Sequence, residues 1–176
     1  MYPVFRYGWA MLKARRLPPL GPFETHVSRH RCWPWDIDLW LELNNGRTLT
    51  LYDLGRIPLA VRTGLLRVLR ERNWGMVVAG CSVRYRRRVR AFDRIEIVSR
   101  LLGWDARFLY TEQAMWRGGE CANHMLVRSA LVSAAGIVPP AEAAVALGLP
   151  PDSPALPPWA AAWIAAEAQR PWPPRR

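Results

Sequence analysis

The stretch DIDLWLELNNGRTLTLYDLGR, residues 36–56, sets four carboxylates around one helix start. Asp36 and Asp38 come first, Glu42 stands just before Asn44 and Asn45, and Asp53 lies in the apolar-periodic run that follows. Two readings fit these residues. Asx side chains ahead of a helix are ordinary N-caps, and acids there complement the helix dipole. The chemical reading starts from Gly46, which lets a ligand oxygen approach bare backbone N–H groups at the helix N-terminus. Such donors stabilise an oxyanion at a carbonyl, and a carboxylate just upstream can activate water or attack directly. Asp53, seven residues on, falls about two turns down the same face.

Outward from this stretch, helical periodicity runs over residues 44–72 through Leu51, Leu54, Val61, Leu65 and Leu69. Pro58 lacks an N–H and clashes with the preceding turn, which predicts two helical pieces near 45–57 and 58–72. Upstream, residues 24–33 alternate and read as a first strand. Downstream, the period changes to that of strands at 76–89, 93–102, 106–117 and 121–134, with Gly118–Gly119 as a turn. Four adjacent strands joined by hairpin-like connections are expected. One strand, a long helix and an antiparallel meander make an α+β domain whose sheet must wrap the helix to bury it. Past Val138 the chain is rich in Pro, Ala and Trp. Two short helices are expected there, near 140–147 and 158–169, with Trp159 and Trp163 on one face docked on the domain or on a partner subunit. The chain therefore divides into an arm or helix at 1–23, a domain at 24–137 and a helical extension at 138–176.

With 176 residues, half of them hydrophobic, the chain is long enough for one domain with a proper core. Its net charge of +11 suits polyanionic partners: nucleic acid, an anionic membrane or a phosphate-bearing small molecule. Three scattered cysteines without a CxxC pattern read as ordinary thiols in a reducing, cytoplasmic compartment. No apolar run reaches the roughly 18 residues that span a bilayer. The basic, aromatic segment 1–20 reads as a surface helix or arm, with peripheral membrane contact as its second reading.

The sequence D36-I-D38-L-W-L41-E42-L-N44-N45, followed by Asp53 and Arg56, resembles the signature of the hotdog-fold acyl-CoA thioesterases of the 4-hydroxybenzoyl-CoA thioesterase type. That signature has the form D-x-D-x-x-G-H-x-N-N, then an aromatic, an acid and an Arg. The segments RTGLLR and NWGMVVAG are similar to those of thioesterase superfamily member 6-like proteins and their bacterial relatives. The resemblance covers about residues 24–137. It implies a hotdog fold, an antiparallel sheet wrapped around a long central helix, and hydrolysis of an acyl-CoA thioester to free acid and CoA. It assigns the catalytic carboxylate to Asp38, the carbonyl-polarising amides to Asn45 and Gly46, and a second acid to Asp53. Asn44 would position the loop. No cofactor is implied beyond the CoA moiety of the substrate, and the assembly implied is a homodimer that can pair into a tetramer. Two departures stand out: Leu41-Glu42 replaces Gly-His, and Thr48 stands where an aromatic is expected. They suggest the alternative of a non-catalytic hotdog module that binds acyl-CoA or a protein partner.

The run RYRRRVR, residues 84–90, is the densest charge cluster. Alternation would put Arg84, Arg86 and Arg88 on one strand face. That face is either solvated or a seat for coenzyme A phosphates, whose oxygens match the guanidinium fork. A nucleic-acid reading lacks any accompanying motif, so none is expected as a partner. His26 and His30 stand about 13 Å apart on a strand with no further ligand in view, so no metal site is expected. His124 reads as structural, and neither Ser133 nor Cys81 has the partners of a nucleophilic triad.

Overall fold

The computed structural model describes residues 3–174 of the chain. Its central element is helix α2, Asn45–Arg62, which follows the N-terminal helix α1, Val4–Arg16. Asn44 caps α2, its side-chain oxygen accepting from the Arg47 N–H at 3.1 Å. Thr48, Leu51, Tyr52, Gly55, Pro58 and Leu59 form the buried stripe, spaced as one face of a 3.6-residue period. The expected break at Pro58 does not occur. The helix runs through it, and the interruption falls at Gly64, whose φ of +80° ends α2 before α3, Leu65–Glu71. A proline inside a helix costs one backbone bond and a clash of about 3 kcal/mol. Here the apolar stripe is buried on both sides of Pro58, which offsets that cost, whereas a left-handed residue cannot continue a helix at all.

The strands are β1 (His26–Arg31), β2 (Gly75–Tyr85), β3 (Arg94–Trp104), β4 (Leu109–Arg117), β5 (Glu120–Ser133) and β6 (Gly136–Val138). They form one antiparallel sheet in the order β1-β3-β4-β5-β2, with β6 added to β5. The expected four-strand meander is therefore only partly present. β3, β4 and β5 do follow one another as hairpins, but β2 pairs with β5, from Gly75↔Val132 to Tyr85↔Asn123. The segment 86–93 crosses to the other flank of the sheet instead of turning back. Strand periodicity specifies which face is buried and leaves the pairing partner open, which is why this crossover was not legible.

Gly55 shows how closely the sheet holds the helix. A Cβ there would lie 2.6 Å from the Ile97 side chain and 2.7 Å from Ser99 Oγ, so the α2 backbone rests directly on β3. Gln113 Nε2 completes the contact, donating to the Tyr52 carbonyl at 2.9 Å and to Ser99 Oγ at 2.8 Å. Ile95, Ile97, Met115, Met125 and Val127 fill the same concave face against Leu51 and Leu54. The antiparallel sheet thus curls around one helix, the architecture the resemblance implied.

The extensions close the remaining surfaces. α1 lays Ala10 and Ala14 inward and packs on α2. Helices α4, Pro140–Ala146, and α5, Pro158–Ala168, occupy the expected places with proline in their first turns. Ala143 and Ala144 of α4 join Leu69, Trp104, Leu109 and Leu131. α5 covers the opposite, convex face, where Ala160 meets Leu102, Tyr110 and Leu126. Trp159 stands edge-on to His124 at 5.2 Å and Trp163 lies under Arg128, so this pair docks on the domain itself.

Candidate functional site at the entrance to the central helix

Between β1 and α2 the chain makes a one-turn 3₁₀ helix at Pro34–Asp36 and then a tight loop. Ile37 bridges to Leu43, the Asp38 N–H donates to the Glu42 carbonyl, and Asp38 Oδ1 accepts from the Trp40 N–H at 2.8 Å. A longer contact of 3.4 Å reaches that oxygen from the Glu42 N–H. Leu41, at the loop's tip, takes φ = +60°. The Gly of the family signature falls at this position, and a left-handed backbone is what glycine supplies there without strain.

One residue, Ile37, separates Asp36 from Asp38, and their roles diverge completely. Asp36 is fully buried. Its Oδ1 accepts from Arg47 at 2.7 Å and its Oδ2 from Arg6 at 2.7 Å and from the Trp33 N–H at 3.0 Å. Burial, the largest single influence, opposes its ionisation, but the Trp33 amide, Arg47 and Arg6 together outweigh it and hold the carboxyl below the ordinary range. Asp36 is therefore a structural anion that ties α1, the 3₁₀ turn and α2 together. Its backbone carbonyl also receives the Asn44 N–H at 2.9 Å, fixing where the helix starts.

The first four N–H groups of a helix have no partner within it. Two of the four are met from outside it: the Asn44 N–H donates to the Asp36 carbonyl at 2.9 Å and the Arg47 N–H to Asn44 Oδ1 at 3.1 Å, while Thr48 makes the first bond within the helix, to the Asn44 carbonyl. The N–H groups of Asn45 and Gly46 are the two left pointing out of the helix, with the positive end of the dipole behind them. Beside them opens a cleft of about 200 Å³ bounded by Glu42, Asn45, Thr48, Tyr85, Asn123 and the segment Arg86–Val89. Burial raises the Tyr85 phenol above its usual range, against the opposing effect of its hydrogen bond with Thr48. Arg88 pairs with the half-buried Glu42 at 3.3 Å and Arg87 with the exposed Glu120 at 3.4 Å, while Arg86 makes no ion pair among the described residues. The site so built offers two amide donors for a developing oxyanion, carboxylates within one short loop, and guanidinium groups at the rim.

Of the residues singled out from sequence, Asn45, Arg86 and Arg88 meet at this cleft, with Gly46 in the adjoining first turn and Asn44 spent as the cap. Asp38 stands on the loop whose base, Glu42 and Leu43, forms the rim. Arg84 does not share a face with Arg86 and Arg88, because β2 ends at Tyr85 and the chain then turns. Arg84 instead lines a groove on the convex face with His124, Glu112 and Trp159. Asp53 does not line the cleft either. It forms a short ion pair with Arg56, and Arg56 borders a separate apolar cavity under the second half of α2. Glu42 entered the sequence reading as one of the acids at the helix start and as a departure from the signature; the structure makes it the carboxylate that lines the cleft. Thr48 entered only as a departure from the signature, and Tyr85 and Asn123 were missed as site residues. Tyr85 and Asn123 are cross-strand partners on β2 and β5, a pairing that nothing local in the sequence specifies.

No group of three or more His, Cys, Asp or Glu suited to a metal ion occurs among the described residues. His26 and His30 stay on the buried side of β1, where burial first and neighbouring cations second hold both imidazoles down to about 4. Among the described residues no helix is long and apolar enough to cross a membrane.

The fold has counterparts among known proteins. Solved structures share the fold at low identity: the probable thioesterase YbaW of Escherichia coli superposes with a TM-score of 0.59 at 17% identity, covering 62% of this chain and 84% of that one. A putative oleoyl thioesterase from Lactobacillus plantarum gives 0.64 at 16% identity, covering 77% of this chain and 55% of that one. Slr0204, a 1,4-dihydroxy-2-naphthoyl-CoA thioesterase from Synechocystis, gives 0.61 at 8%, covering 70% and 95%. These neighbours make the fold the hotdog fold. In sequence, the chain is 40% identical to Protein THEM6 of Xenopus laevis over 104 residues, 58% of this chain and 50% of that protein. It is 36% identical to Protein THEM6 of Drosophila melanogaster over 83 residues, 47% and 43% of the two. The chain thus spans about half the length of the curated relatives it matches. The family model described as the Thioesterase-like superfamily matches residues 32–164, from just after β1 into α5, and the chain belongs to that superfamily.

Proposed function

We propose that the protein hydrolyses an acyl-CoA thioester to the free acid and CoA, at the cleft where α2 begins. One observation carries the reading: Asn45, whose outward amide stands beside that of Gly46, lines a cleft together with Glu42 at the base of the carboxylate loop and with Arg86 and Arg88. The thioester carbonyl is received by the two amides. Asp38, with Oδ1 held by the loop, takes a proton from water through its other oxygen as that water attacks the carbonyl carbon. The carbonyl electrons move onto the oxygen, where the amides and the helix dipole stabilise the charge. Collapse of the intermediate re-forms the carbonyl and breaks the carbon–sulfur bond, and the proton returns to the CoA thiolate. Arg86 and Arg88 take the phosphates of the CoA moiety.

The surrounding chain supports this setting. β2 is a sheet edge 11 residues long with Val77 and Val78 exposed, a surface suited to pairing with β2 of a second copy in a homodimer. All three cysteines are free thiols, in keeping with a reducing, cytoplasmic compartment.

The test is thiol release from short, long and aromatic acyl-CoAs. Asp38→Asn is expected to lower kcat by about 10²–10⁴ with the fold intact, the range for losing a general base. Full activity in that variant sinks the assignment of Asp38, and a collapse on Glu42→Gln instead moves the base to Glu42. A second reading, an acyl-CoA-binding module without turnover, is favoured by the Glu42–Arg88 pair, which places a negative charge where the signature has a neutral ring. Binding without thiol release, with turnover gained on Leu41→Gly with Glu42→His, would establish it.

A further inference from the structure

The end of the molecule that carries the loop also carries exposed apolar side chains from three separate elements. On α1, Phe5 and Trp9 point outward, 94% and 57% exposed, while Ala10 and Ala14 face the domain. At the loop tip Leu39, Trp40 and Leu41 are 96%, 80% and 75% exposed. Phe92, on the crossover from β2 to β3, is more than half exposed beside Trp33. Arg6 joins these elements, donating to Asp36 at 2.7 Å and to the Arg31 carbonyl at 2.8 Å, and the Phe92 N–H bonds the Cys32 carbonyl at 2.7 Å.

Two of these residues are held at a cost. Leu41 and Phe92 take φ of +60° and +66°, a left-handed backbone that glycine or asparagine adopts more readily. Strain of that kind, on side chains left more than half exposed, points to a use outside the fold. The charge around the patch identifies that use. Residues 1–42, from α1 through the loop, hold six Lys and Arg against Glu24, Asp36, Asp38 and Glu42, a balance of 6 − 4 = +2, with half of the cations clustered on the last turns of α1. Lys13, Arg15 and Arg16 are exposed on the last turns of α1, and Lys13 sits 5.3 Å over the Trp9 ring. Aromatic and apolar side chains flanked by Lys and Arg on a short amphipathic helix match the boundary between acyl chains and anionic head groups. With 13 residues, α1 is long enough to lie in that boundary and too short to cross it.

We infer that the protein docks peripherally on an anionic lipid bilayer through the outer face of α1 and the Leu39–Trp40–Leu41 tip. The entrance to the α2 cleft, beside that tip, then lies near the bilayer surface. The inference concerns the surface alone and stands whether or not the cleft hydrolyses a thioester.

The experiment is sedimentation of the full chain with vesicles of phosphatidylglycerol and phosphatidylcholine against vesicles of phosphatidylcholine alone, with the oligomeric state followed in parallel. The wild type is expected to pellet with the anionic vesicles, less so as salt rises. Phe5→Ser with Trp9→Ser, and separately Trp40→Ser, are expected to lower the partition coefficient by at least about tenfold, from the apolar area removed. Arg15→Glu with Arg16→Glu disturbs no packing and is expected to abolish the preference for anionic lipid, so the test holds even if an apolar variant misfolds. A wild type that stays in the supernatant, or variants that pellet like it, overturn the proposal. So does a wild-type dimer that ignores vesicles and falls apart on Phe5→Ser with Trp9→Ser, which would assign the face to a second copy.

Discussion

The two halves of α2 are built on opposite principles. The entrance is polar and locked: one buried carboxylate, two arginines, a capping asparagine and a strained loop fix where the helix begins. The second half lies over an apolar cavity of about 50 Å³, walled by Leu59, Leu101, Leu109, Ala143 and Leu147. Its lining includes Ser129, whose buried hydroxyl has no partner among the described residues. Hydrogen bonds and ion pairs are directional, so they can hold a loop at a set angle to a helix end. Apolar contact is not directional and serves to bury the helix without aiming anything. The site is therefore found where the directional forces are concentrated.

The largest expected effect comes from breaking the lock. Asp36→Ala leaves two cations facing an empty buried site and should destabilise the fold by about 3–5 kcal/mol, the range for removing one partner of a buried pair. Urea denaturation measures it, and a change below about 1 kcal/mol would mean that the network is ornamental to stability. The sign of the pH effect follows from the same region. His26, 2% exposed, has its imidazole lowered to about 4, so between there and 6.5 the unfolded chain binds the extra proton. Stability is full above pH 6.5 and falls toward pH 4, by on the order of 3 kcal/mol for His26, with His30 acting in the same direction. Below about pH 4 the Asp36 contribution is lost as well, because its pKa is depressed in the fold. Melting temperature against pH reads both windows.

At the boundary between the halves, Gly55→Ala forces a methyl group against Ile97 and Ser99 and should cost about 1–3 kcal/mol, read as a drop in melting temperature. An unchanged melting point would show that helix and sheet can separate without loss. The smallest effect is a gain. Leu41→Gly relieves the left-handed backbone at an exposed tip and should stabilise by about 1 kcal/mol by denaturation, while weakening vesicle binding. Stability gained without loss of binding would confine the membrane role to α1.

Much of the architecture was legible because short-range periodicity and capping chemistry carry it. Asn44 announces the start of α2, the paired prolines announce α4 and α5, and the alternation through Ile95 and Ile97 marks β3. The candidate site was half legible. Asn45 and Gly46 follow from the helix start and the resemblance, and Arg86 and Arg88 from the basic run at 84–90, since each signal resides in contiguous sequence. Asp36 and Asp38 form one D-x-D pair in the string, where only the resemblance singles out Asp38; burial by α1 and the two arginines makes Asp36 the anchor and leaves Asp38 on the loop. Arg84 and Arg86 read as neighbours on one face, yet the end of β2 sends them to different sides of the sheet.

The chain's own sequence thus determined its elements, its caps, its basic balance and the acids that precede the helix, all properties of neighbouring residues. Only the tertiary structure decided that the helix passes through Pro58, that β2 joins β5, and that Glu42, Tyr85 and Asn123 share a cleft. Those outcomes depend on which apolar faces meet and on which charges lose water together. They are settled between residues far apart in sequence, where no local spacing can register them.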